Sequence, residues 1–127
     1  MKSRESAVRV KEFAVREKRR RLSQLDLMIA EFNRMADELT HQIETEERKA
    51  GITDPGHFAY PTFAKAARQR RDNVQNSRND LEAKRELAHE ELAEAEADLA
   101  RAEALDQREG RVATATAPGV NPSAMIG

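Results

Sequence analysis

Two stretches of this chain repeat apolar residues at the period of a coiled coil. In the first, Leu22, Leu25, Ile29, Phe32, Ala36, Leu39 and Ile43 are spaced alternately three and four apart, which holds one narrow stripe on one side of a helix. Val8 and Val15 carry one row of that stripe upstream, while Lys11 and Lys18 occupy the other row. In the second stretch, Ala67, Val74, Leu81, Ala88, Ala95 and Ala102 form one row. Its companion row starts with Arg71, Arg78 and Arg85 and turns apolar at Leu92 and Leu99. Each stretch predicts a long helix with a real but incomplete seam.

Glycine and proline set the boundaries. None precedes Gly51; Gly51, Pro55, Gly56 and Pro61 then cluster, and none follows until Gly110. The expected organisation is a helical hairpin over residues 3–109: helix 3–50, connector 51–61 and helix 62–109. Residues 110–127 are expected to form a disordered tail, because they offer almost nothing to bury. Arg48 and Lys49 suit the negative end of the first helix dipole, and Gly51 follows where a left-handed backbone is needed, with Ile52 able to close over it. Asp54-Pro55 reads as a cap and first-turn proline for one short helical turn, and Pro61 can open the second helix in the same way. Two helices of about 48 residues, ~72 Å each, joined by a short connector predict an all-α fold: an antiparallel coiled-coil hairpin.

Charge selects the antiparallel orientation independently. Residues 1–21 carry 9 basic and 3 acidic side chains and residues 22–50 carry 3 and 7. Residues 65–85 carry 7 and 3, and residues 86–109 carry 2 and 9. An antiparallel fold sets each basic arm against an acidic one, whereas a parallel fold sets like against like. Each surface pair contributes only ~0–1 kcal/mol, so charge chooses the orientation more than it supplies stability.

Composition narrows the function. With 35% charged residues, 4% aromatics and no tryptophan, the chain has little from which to build a globular core or an enclosed pocket. The absence of cysteine removes disulfides, thiolate metal sites and cysteine nucleophiles. His41, His57 and His89 show no paired metal-ligand spacing, and Gly51 to Gly56 holds no phosphate-binding loop pattern. Neither an enzyme, a metal nor a cofactor is expected. A net charge of −1 argues against a general polyanion binder, so nucleic acid is not an expected partner. No apolar run approaches the ~20 residues that span a bilayer, and Met1-Lys2-Ser3-Arg4-Glu5 leads into charged sequence, so a cytoplasmic location is expected.

Three features suggest binding instead. Arg16, Lys18, Arg19, Arg20 and Arg21 make a basic run that either pairs with the acidic end of the second helix or meets an acidic partner. Met28 and Met35 broaden the apolar stripe beyond what a two-stranded seam requires; loose core packing or a further helix would account for them. Phe58, Tyr60 and Phe63 crowd the connector, either clamping the turn against Ile43 and Ile52 or standing out near Arg68, Arg70 and Arg71 as a protein-binding patch.

The connector Gly51-Ile52-Thr53-Asp54-Pro55-Gly56-His57-Phe58-Ala59-Tyr60-Pro61, running into Thr62-Phe63-Ala64-Lys65-Ala66-Ala67-Arg68-Gln69-Arg70-Arg71, resembles the alphaproteobacterial branch of the FliJ family of flagellar export proteins. The basic start, Val8 to Lys18, is in keeping with that resemblance, which covers residues 1–109. It implies a non-enzymatic component of the flagellar type III export apparatus, a stalk-like coiled coil linking the export ATPase ring, the membrane export gate and export chaperones. It also implies a cytoplasmic protein peripheral at the membrane through its partners. Carried over residue by residue, it makes Arg9, Lys11, Arg16, Lys18, Arg19, Arg20 and Arg21 the ATPase-contact candidates. Tyr60 and Phe63 match the family's Tyr-x-x-Phe element on the gate-facing surface, with Phe58, Ala67, Arg70 and Val74 around them. At Ala67, Arg70 and Val74 this chain departs from other branches. The alternative from another class is a structural coiled coil that self-associates through its exposed stripe and has no export role.

Overall fold

A computed structural model describes residues 2–116 as two α-helices, α1 (Lys2–Ala50) and α2 (Thr62–Thr116), with no strand among the described residues. The fold is all-α, and wherever the helices touch they run antiparallel. The contacts divide into two compact units: one from the start of α1 to Arg21 with α2 from Ala88 onward, the other from Leu22 to Leu87.

The unit around the connector is closed by local chemistry. Gly51 adopts φ +69°, and the N–H groups of Gly51 and Ile52 both donate to the Glu47 carbonyl at 2.8 and 3.3 Å, satisfying the frayed end of α1. The chain then makes two successive turns in place of the short helix that Asp54-Pro55 suggests. Asp54 accepts from the Gly56 N–H through Oδ1 (2.9 Å) and from the His57 N–H through its carbonyl (3.0 Å). The His57 carbonyl accepts from Tyr60 N–H and its ring Nδ1 from Ala59 N–H, both at 3.0 Å. The cap at Asp54 forms, but Gly56 lies directly inside it, and Pro61 disfavours helical backbone at Tyr60. Pro61 sits one position outside the helix, its carbonyl accepting the first intrahelical bond from Lys65 N–H at 3.0 Å.

The predicted seam is the buried one. Leu25, Ala36, Leu39, Ile43, Ala64, Ala67 and Leu81 are buried in this unit, and Leu39, Ile43 and Ala67 form a cluster with Val74 packed against it. Ala64 and Ala67 have no exposed surface, and their small side chains make this core thin. The arginine row is accommodated by a ladder that the apolar pattern does not reveal. Arg85 bonds Asp26, Arg78 bonds Asn33 at 3.3 Å, and Arg71 bonds Thr40 at 3.1 Å. Asp26, Asn33, Thr40 and Glu47 recur every seventh residue, on the α1 edge just beside the seam. The arginine stems fill the seam while their heads reach this polar edge. Arg71 Nε stays buried without a hydrogen-bond partner, so the ladder fixes register more than it adds stability.

In the other unit Val15, Ala88 and Ala95 are buried, and Lys11, Lys18, Leu92 and Leu99 are half-buried, following the two predicted rows. Here the signs are reversed: Arg4 of α1 pairs with Glu109 of α2 at 2.8 Å, and Lys18 with Glu91 at 2.8 Å. Each unit thus shows the charge complementarity that predicted antiparallel packing. The expected helix stop at Gly110 is overturned, because α2 continues through Gly110 to Thr116. A helical glycine costs only about 1 kcal/mol, and the residues around it include good helix formers. The remainder of the predicted tail, residues 117–127, lies outside the described residues.

Candidate partner-binding surface

In the unit holding the start of α1, the basic candidates separate by what they touch. Lys18 is bonded to Glu91, Arg19 lies 3.8 Å from Glu96, and Arg20 pairs with its own helix neighbour Glu17 at 2.9 Å. The hydrogen bond from Lys18, then its charge and that of Arg21, hold the Glu91 carboxyl below its ordinary pKa. Lys11 is half-buried and lines a shallow groove with Ala102 and Leu105. Arg9 and Arg16 are exposed and belong to none of the ion pairs among the described residues. The basic run is therefore partly committed to α2 and partly available. Beside Arg9 and Arg16 stand Val10 and Phe13, both largely exposed, on the same outward side of the helix. Sequence reasoning passed over these two; their signal was that both are bulky apolar residues lying off the seam rows.

In the unit around the connector, the aromatic candidates divide in the same manner. Tyr60 is 9% exposed, and its hydroxyl donates to Glu47 Oε2 and accepts from Arg68 Nε, both at 2.8 Å. Arg68 also bonds Glu47 Oε2 at 3.1 Å, and its guanidinium carbon lies 5.8 Å from the Tyr60 ring centre. The three side chains close a triangle joining the end of α1, the connector and the start of α2. The Tyr60 hydrogen bond, followed by that of Arg68, lowers the Glu47 pKa, and the hydrogen bonds to Tyr60 and then Glu47 raise that of Arg68. Tyr60 thus clamps the turn rather than standing out from it.

Phe58 is 96% exposed and stacked on His57 with ring centres 4.7 Å apart, and Phe63 is half-exposed on the first turn of α2. Among the gate-contact candidates, Tyr60 and Ala67 are corrected: Ala67 is fully buried against Leu39 and Ile43, where no partner can reach it. The resemblance to the FliJ family puts both on the gate-facing surface, but both side chains are buried. Phe58, Phe63 and Arg70 are exposed, and half-buried Val74 joins Arg70, Met35 and Leu39 in lining a groove of about 340 Å³.

These surfaces offer apolar and cationic contact. No group of three or more His, Cys, Asp or Glu side chains that could hold a metal occurs among the described residues, and no helix among them is long and apolar enough to cross a membrane. The class that the fold defines is an antiparallel two-helix coiled coil. No protein-family model, curated protein or solved structure matches this chain.

Proposed function

We propose that this chain is a non-enzymatic component of the flagellar type III export apparatus, acting through helix-surface contacts with the export ATPase, the export gate and export chaperones at the cytoplasmic face of the membrane. The observation that carries the reading is the connector. The stretch that resembles the FliJ family folds into a tied double turn in which Tyr60 is locked inward and Phe58 and Phe63 face outward. Aromatic side chains beside an exposed arginine suit protein recognition, because they combine large apolar area with directional polar contact. In this reading Phe63 and Phe58 meet the gate. Arg9, Arg16, Arg20 and Arg21, exposed on α1, meet the ATPase, while Lys18 and Arg19 pair with α2 and Lys11 is half-buried beside it.

The reading predicts how the ATPase contact responds to charge. The chain carrying Arg19→Ala, Arg20→Ala and Arg21→Ala should bind the purified export ATPase at least about fivefold more weakly at low salt, as expected for losing the Arg20 and Arg21 contacts of ~0.5–1 kcal/mol each. Helix content should be retained, since all three side chains are exposed. Equal affinity of wild type and triple variant, measured by calorimetry at low ionic strength, would remove the basic segment from the mechanism.

A further inference from the structure

The two edges of the seam in the connector unit are unlike each other. On one edge lies the arginine ladder, where Asp26, Asn33, Thr40 and Glu47 are all bonded across to α2. On the other edge, flanking the seam from the opposite side, stand Met28 and Met35, 44% and 37% exposed. Beside Met35, Leu39 and Val74 line an open groove, with Glu38 on its α1 wall and Arg70 on its α2 wall. Glu38 and Arg70 are exposed and take part in none of the ion pairs among the described residues. One edge of the seam has its α1 polar side chains bonded across to α2; the other has apolar area and unpaired charge.

From Leu22 to Leu39, moreover, α1 carries apolar residues on both seam rows and on this flanking row. A strict two-row stripe suits a two-stranded coiled coil, whereas two rows plus a flanking row is the pattern of a helix in a bundle. We propose that this edge is the interface with a second copy of the chain, forming an antiparallel four-helix bundle from residues 22–43 and 67–87 of each protomer.

Charge selects the second copy and its direction. The α1 arm over residues 22–50 has 3 basic and 7 acidic side chains, and the α2 arm over residues 65–85 has 7 and 3. A two-fold axis parallel to the helices lays α1 of one protomer over α2 of the other, acidic arm on basic arm, with Glu38 facing the partner's Arg70. Each helix then has only antiparallel neighbours, which also opposes the helix dipoles. An axis across the helices would set α1 on α1, with Glu38 facing its own copy, and like charge would repel. The interface is isologous, so one chain supplies both halves of each contact.

Sedimentation equilibrium of the full chain tests this. The wild type should show a concentration-dependent dimer, and Met35→Glu should be monomeric with unchanged helix content, because Met35 is not a core residue. Glu38→Arg and Arg70→Glu should each weaken the dimer by at least about fivefold, and the two together in one chain should restore it. A chain that stays monomeric at all concentrations overturns the proposal, as does an assembly indifferent to Met35→Glu. Failure of the double variant to recover overturns the parallel-axis arrangement. A monomer that still binds the export ATPase would overturn the dimer alone and leave the export reading standing.

Discussion

Ala67→Glu should collapse the packing around the connector, lowering stability by about 3–5 kcal/mol and the melting temperature by on the order of 10 °C. Glutamate is a good helix former, so the effect does not come from propensity. Ala67 has no exposed surface and lies against Leu39 and Ile43, leaving no room for a longer side chain and no partner for its charge. Ala66→Glu is the control: the neighbouring position is exposed, and the same substitution there should shift the melting temperature by little. Thermal melts of the two variants followed by circular dichroism decide the matter. If Ala67→Glu melts like the wild type, the seam assignment at the start of α2 is wrong.

Acid should loosen the connector through Glu47, whose side chain is only 12% exposed within the triangle with Tyr60 and Arg68. Its carboxyl pKa is lowered in the folded chain, first by the Tyr60 hydrogen bond and then by Arg68. A depressed carboxyl pKa means that the unfolded chain binds the proton more readily. The stabilisation is therefore complete above the ordinary value of 4.5 and is lost as pH falls through the lower folded value. Glu47→Gln and Arg68→Ala should both be less stable than wild type at neutral pH and should lose less on acidification. Other carboxylates respond to acid as well, so the informative quantity is the difference between variant and wild type in melts over that pH range. Parallel curves for wild type and Glu47→Gln would show that the triangle does not hold the connector.

Much of the fold could be read from the chain because the signals were redundant. The alternating three-four spacing from Leu22 to Ile43, the stop at Gly51 and the opposed charge of the arms all pointed to one antiparallel helix pair, and the buried rows are those that the spacing named. The arginine ladder is not legible in the sequence because Asp26, Asn33 and Thr40 share no chemistry. Their common feature is a heptad spacing beside the seam, and short polar residues there look like any solvated face until the arginine row opposite is considered. A glycine alone does not end a helix. Gly51 ends its helix by adopting a positive φ with carbonyl-satisfying bonds, whereas at Gly110 the helix runs on.

The candidate surfaces were legible in kind but not in membership. Six residues of the connector and α2 start offered three aromatics, and nothing local says which of them turns inward. Tyr60 does so because Glu47 and Arg68, remote from each other in sequence, converge on its hydroxyl. The basic run likewise could not reveal that Lys18 and Arg19 are drawn to Glu91 and Glu96 while Arg9 and Arg16 are left exposed. That division depends on which acids of α2 come within reach of each side chain.

The proposed export role is tested most directly by deleting the chain from its host cell and measuring secretion of flagellar hook and filament subunits. The account predicts that cells lacking the chain secrete little and lose motility, that the wild-type chain restores both, and that Phe63→Ala restores them only in part. Normal secretion and motility in the deletion strain would contradict it.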